Sequence, residues 1–143
     1  CLIHGDLCFS NFFYNFKTKD FKLIDPRGKW GNDMFGDLKY DVAKLRHSVV
    51  GGFDTITNGL CSASLSESNQ ISMKIFKSKN HQKVCRYLDE LIEKQWNLNE
   101  IKLIEGLLFI SMLPLHKDNF ERQLAFYSIG IQRLNEVLDE TGE

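Results

Sequence analysis

Hydrophobic and polar positions alternate, cluster and recur along this chain in a way that lays out its elements in order. Residues 1–3 read as the end of a strand. Asn11-Phe12-Phe13-Tyr14-Asn15-Phe16 is aromatic-rich, Lys17-Thr18-Lys19-Asp20 is a polar turn, and Phe21-Lys22-Leu23-Ile24 alternates as a second strand, which together predict a hairpin. Gly28 to Gly36 is a loop by its glycine content. A helix follows, with Asp37 as its cap and Tyr40, Leu45 and Val49 among its apolar positions, until Gly51-Gly52 and Thr57-Asn58-Gly59 break it. Residues 60–77 read as two short strands around the polar Ser66 to Gln70, an excursion placed to line a substrate pocket.

The remainder is helical. Val84, Leu88, Leu91 and Ile92 recur at helical spacing toward Trp96. Asn99 starts the next helix, which is apolar almost all round from Leu103 to Leu113 and is therefore expected to be central and buried, with Pro114 ending or kinking it. Phe120, Leu124, Tyr127, Ile131, Leu134 and Leu138 form the stripe of an amphipathic final helix, expected to face the core rather than a coiled-coil partner. The sum is an α+β chain, mainly helical, of one domain over residues 1–143.

Against this background the run His4-Gly5-Asp6-Leu7-Cys8-Phe9-Ser10-Asn11 stands out. Four residues separate Asp6 from Asn11, and a second acid, Asp25, follows the hairpin in Leu23-Ile24-Asp25-Pro26-Arg27-Gly28. Phosphoryl transfer needs such a set: one carboxylate to take the proton of an attacking hydroxyl, and oxygen ligands that hold magnesium against phosphates. Taken singly, each piece is ordinary turn and cap chemistry. It is their order in one chain that points to a site.

His4-Gly5-Asp6, Asn11 and Asp25 resemble the catalytic core of the aminoglycoside phosphotransferase and choline kinase superfamily, the small-molecule branch of the protein-kinase-like fold. The wider run Ile3 to Asn11, with Ile24-Asp25-Pro26-Arg27-Gly28, also resembles kinase-like proteins of bacterial surface (capsular) polysaccharide biosynthesis. The resemblance implies a C-terminal lobe with a short catalytic β-hairpin: residues 1–36 supply catalytic loop, hairpin and metal loop, and 37–143 a helical support. It implies Asp6 as catalytic base, His4 as buttress of the catalytic loop, Asn11 and Asp25 as magnesium ligands, and ATP as phosphoryl donor. Asp41, after the aromatic Tyr40, matches the residue that in this family bonds the backbone of the catalytic loop. Arg27 stands beside the metal site, either to meet a substrate anion or to pair with an acid, and His47 is a candidate for the substrate cleft. The implied acceptor is the hydroxyl of a small molecule, a sugar or amino alcohol; the rival reading is a non-catalytic kinase-like binding module within a larger polysaccharide-biosynthesis protein.

Departures from the pattern change the picture in three places. No Gly-x-Gly-x-x-Gly and no Val-Ala-Ile-Lys-like strand occurs, so the nucleotide-cradling N-terminal lobe is expected to be missing, with the chain from Cys1 a fragment that is inactive alone. Its loss should expose an apolar patch near Leu2, Ile3, Phe12 and Phe13 and favour self-association. Pro26 stands where protein kinases carry Phe, which stiffens the metal loop. Only about a dozen residues separate Asp25 from the following helix, too few for a peptide-binding activation segment, which favours a small substrate.

Composition narrows the rest. A hydrophobic content of 43%, with Phe occurring eleven times, is enough for a folded core rather than a disordered chain. A net charge of −1 gives no basic stripe for nucleic acid. The apolar stretch Gly106–Leu115 is short of the ~20 residues of a membrane span. Cys1, Cys8, Cys61 and Cys85 show no metal-ligand or disulfide spacing and are expected to be free, buried thiols in a reducing compartment, hence a cytoplasmic protein.

Overall fold

The computed structural model describes residues 1–29 and 33–142. The expected loop over Gly28–Gly36 falls partly on residues 30–32, which lie outside the described ones. The fold is α+β and mainly helical, with two small antiparallel sheets. A 3-10 turn, Phe9–Asn11, leads into β1 (Phe12–Tyr14), which pairs with β2 (Phe21–Leu23) in the register Phe12–Leu23, Phe13–Lys22 and Tyr14–Phe21. An isolated antiparallel bridge joins Leu2 to Phe35. Helix α1 (Leu38–Val49) is capped by Asp37, whose side chain accepts from Lys39 N–H at 2.9 Å.

Gly51 and Gly52 end α1, and a short helix α2 (Phe53–Thr57) follows that the sequence pattern does not announce. Strands β3 (Cys61–Leu65) and β4 (Ile71–Ile75) pair in full register around the expected polar turn. Their inner residues Cys61, Ala63, Met73 and Ile75 pack against the core around Phe109 and Phe126, and this hairpin does not line the cleft that holds Asp6 and Asp25. Alternation put one face of each strand inward; which neighbour would receive that face was not written in the strands themselves.

Helices α3 (His81–Glu93), α4 (Leu98–Met112) and α5 (Phe120–Thr141) complete the molecule. Asn97, rather than a residue at 99, caps α4. The helix stops two residues before Pro114, and Leu113–His116 continue as a 3-10 turn, because proline cannot donate the next helical hydrogen bond. Two clusters make the core. In one, Phe109 and Phe126 are fully buried with Ile56, Ala125 and Ile129; burying each such ring contributes about 1.5–3 kcal/mol. In the other, Ala43, Ile92, Ile101 and Leu108 join α1, α3 and α4. Helices α4 and α5 meet at Gly106 and Gly130, where a Cβ on either would sit 3.2 Å from the other's carbonyl oxygen and still closer to Leu134 or Ile110. Glycine at both positions sets this close crossing.

Three expectations are corrected here. Helix α4 is not buried all round: Leu103 and Leu107 face outward, leaving an apolar face uncovered. The stripe of α5 is turned by about one position, since Leu124, Ala125, Phe126 and Ile129 face the core while Phe120, Tyr127 and Leu138 are exposed. A 22-residue helix offers two overlapping apolar stripes, and the close approach at Gly130 selects the one nearest α4. The thiols are free, but only Cys8 is buried, and Cys1 is exposed.

The β1–β2 hairpin is the most exposed part of the fold. Phe13, Tyr14, Phe16 (86% exposed), Phe21 and Leu23 all face solvent, as does Leu2. The uncovered apolar patch expected near Leu2 and Phe13 is present and extends along the hairpin, while Ile3 and Phe12 are half-buried.

Candidate active site

The loop from His4 to Asn11 is held by one face of α1. Asp41, Lys44 and Ser48 follow one another at three- and four-residue spacing, which stacks them along one side of a helix. Asp41, almost fully buried, accepts from His4 N–H at 2.6 Å and from Gly5 N–H at 2.8 Å, so the backbone contact implied for it exists. Ser48 Oγ accepts from Phe9 N–H at 3.0 Å and donates in turn to Asp54 Oδ2, whose other oxygen accepts from Ser10 N–H at 3.2 Å. Start and end of the loop are thus both fixed to α1 and the α2 that follows it. Backbone N–H groups need partners, and those of His4, Gly5, Phe9 and Ser10 find them on the side chains of α1 and α2.

Gly5 makes the loop's sharp turn with φ +77°, and a Cβ there would lie 2.8 Å from Arg27 Cβ. Position and conformation both demand glycine. Arg27 N–H donates to His4 O at 2.8 Å, which ties the segment after Asp25 to the His4–Asn11 loop. His4 does the same from its side chain: Nε2–H donates to Ile24 O at 3.0 Å while Nδ1 accepts from Asp6 N–H at 3.3 Å. One neutral tautomer satisfies both contacts. His4 therefore buttresses the loop through hydrogen bonds within it and to the strand end.

Asn11 and Asp25 meet through the hairpin. Ile24 N–H donates to Asn11 O at 3.1 Å, extending the β1–β2 ladder by one rung, so Asp25 leaves the sheet beside Asn11. The Asn11 amide is fixed by its NH₂, which donates to Asp6 O at 2.8 Å and Asp6 Oδ2 at 3.3 Å, and this orients its carbonyl oxygen away from Asp6. Asp25 holds a left-handed backbone, φ +54°, directly before a proline, where extended conformations are preferred. Non-glycine residues in this region cost about 1–3 kcal/mol and concentrate at working sites.

Lys44 is the residue that motif reading missed. Its Nζ lies 2.8 Å from Asp6 Oδ1 and 5.2 Å from the centre of the Phe53 ring, with the side chain almost wholly buried. A signal existed, since Lys44 stands three residues after Asp41 on the same helix face. Asp6, Asp25, Arg27, Tyr40 and Lys44 line one cleft of about 390 Å³. Tyr40 OH accepts from Arg27 Nη1 at 3.2 Å, and burial pushes its phenol above the ordinary value against the opposing effect of Arg27. Burial likewise raises the Cys8 thiol, so Cys8 sits under the loop protonated.

His47 is corrected. Its ring is fully buried, 4.6 Å from Phe53 and 4.0 Å from Phe109 between ring centres, with neither nitrogen hydrogen-bonded. It faces the core, and burial followed by the charge of Lys44 holds its pKa well below the usual imidazole value. It cannot touch a ligand in the cleft.

The site's donors are two carboxylates and an amide, all oxygen. Among the described residues no group of three His, Cys, Asp or Glu side chains gathers to hold a metal by itself. Such a set fits magnesium that arrives with phosphates, since magnesium keeps waters and takes one or two carboxylates. No membrane-crossing helix is present among the described residues. Compared with protein-family models, curated proteins and solved structures, the chain matches none of them.

Proposed function

We propose that this chain is the helical C-terminal lobe of a kinase-like phosphotransferase, which transfers the γ-phosphoryl group of ATP to the hydroxyl of a small molecule. The observation that supports the reading best is the convergence of Asp6, Asn11 and Asp25 around one loop whose backbone Asp41 fixes. In the step, the acceptor oxygen forms a bond to the γ-phosphorus, the bond to the bridging oxygen breaks, ADP leaves, and the hydroxyl proton passes to Asp6. Asn11 and Asp25 would hold magnesium, which supplies charge neutralisation on the phosphates when bound. Most of the rate in such reactions comes from positioning and electrostatics.

Lys44 has two roles in this scheme. It fixes the rotamer of Asp6 by pairing with Oδ1, leaving the Oδ2 side toward Asn11, and it places a cation at the floor of the cleft. A negatively charged phosphoryl group entering there meets Lys44 and Arg27 from two sides. The rival reading, a kinase-like module kept for docking within a larger polysaccharide-biosynthesis protein, draws on the exposed aromatic hairpin. An intact set of carboxylates with fixed geometry weighs against it.

Titration of the chain with ATP, with and without magnesium, followed at backbone amides, tests the reading. Asn11 and Asp25 should respond only when magnesium is present, Asp25→Ala should abolish the response, and Asp6→Asn should leave it nearly unchanged. In a protein carrying both lobes, Asp6→Asn should cut turnover by about 10²–10⁴-fold. A response independent of magnesium, or none at these amides, overturns the proposal.

A further inference from the structure

The cleft that holds Asp6 and Asp25 does not end at Arg27 and Tyr40. A trough of about 460 Å³ continues from these two residues along the outward side of α4, and Met112 and Leu115 line both spaces. Its remaining wall is Ile104, Leu107 and Leu108, with Ser111, whose hydroxyl donates to Leu108 O within its own helix at 2.7 Å. This is the apolar face of α4 that the sequence led one to expect inside the protein. Leu107 is 54% exposed and Leu115 67%. The only charged group among the described lining residues is the Arg27 guanidinium.

We infer that this trough receives the body of the phosphoryl acceptor, and that the acceptor is an alcohol carrying an apolar chain or ring system. The inference rests on the phosphotransferase reading and narrows its substrate class. Continuity fixes the occupant: whatever lies in the trough reaches the Asp6 carboxylate past Arg27 and Tyr40, which border both spaces. Charge excludes the alternatives. An ammonium-bearing acceptor needs carboxylates or an aromatic cage to replace its water, and here it would meet Arg27 instead. A bare polyol would find two hydroxyls, of Ser111 and Tyr40, both already engaged, and a wall of leucine, isoleucine and methionine. An apolar body gains by covering that wall, and the volume is that of a pocket for a small ligand.

Methyl-resolved NMR of the chain tests this with three probes: octyl β-D-glucoside below its micelle threshold, glucose and choline. The alkyl glycoside should shift the methyls of Ile104, Leu107, Met112 and Leu115, while glucose and choline at equal concentration leave them in place. Leu107→Glu puts a charge on an already exposed position and should weaken the alkyl glycoside by about tenfold or more. Leu115→Ser serves as a second, gentler variant with a smaller loss in the same direction. Choline binding as tightly as the alkyl probe, shifts confined to Leu2 and Leu23 beside the aromatic hairpin, or unchanged affinity in both variants would overturn the inference. A magnesium-dependent ATP response at Asn11 and Asp25 with a silent trough overturns this inference alone. A responding trough with no such ATP response overturns the phosphotransferase reading, and with it the acceptor role.

Discussion

Replacing Asp41 by Asn tests whether α1 governs the His4–Asn11 loop. The carboxylate accepts two backbone hydrogen bonds, from His4 at 2.6 Å and Gly5 at 2.8 Å, in a nearly solvent-free position. Hydrogen bonds to a charged group contribute about 1.5–3 kcal/mol each. Asn keeps one acceptor oxygen but turns an NH₂ toward the other N–H. One charged bond is lost, the second becomes a neutral one, and a buried donor is left unpaired at a further cost of about 1–3 kcal/mol. The lost bond and the unpaired donor are largely one cost, so the total is about 3–5 kcal/mol. With a urea m-value near 2 kcal/mol/M, the midpoint should fall by ~1.5–2.5 M. Hydrogen exchange at the His4 and Gly5 amides should speed up by about 10²-fold or more, since each 1.4 kcal/mol is tenfold. Asp139→Asn, an exposed isosteric change, should stay within about 0.5 kcal/mol of the parent. A midpoint change below ~0.3 M together with unaltered exchange at both amides would refute the account of the loop.

Three further outcomes are expected. Glu105 is buried between Arg46 and Arg133, so Glu105→Ala should cost about 3–5 kcal/mol in urea unfolding, whereas Glu105→Leu combined with Arg46→Met should recover much of that loss. For His47, whose folded pKa is depressed by burial and then by Lys44, the unfolded chain binds the proton and the native one does not. Stability should therefore fall as the pH drops below ~6.5, and His47→Leu should flatten that part of the pH–stability curve. Finally, the combined change Phe13→Ser, Phe16→Ser and Phe21→Ser should lower self-association in sedimentation velocity without shifting the unfolding midpoint by more than about 1 kcal/mol, because these rings are already in solvent.

Local chemistry by itself determined most of the elements, the short α2 excepted. The polar turns at 17–20 and 66–70, the break at Gly51-Gly52, the cap at Asp37 and the stop before Pro114 act over a few residues, and all appear where the sequence puts them. The order of Asp6, Asn11 and Asp25 around a hairpin was legible for the same reason, since a short hairpin fixes its two ends against each other. What the tertiary structure decided was which surfaces meet. Helix α1 is polar on average, yet it lies at the centre, because Asp41, Lys44, Arg46 and Ser48 each find a partner from another segment: loop amides, Asp6, Asp89 with Glu105, and Asp54. Helix α4 is apolar nearly all round, yet one of its faces stays open. Periodicity reports how much apolar surface a helix carries. Only the positions of its neighbours decide which part of that surface is covered, and whether a buried charge is paired or stranded.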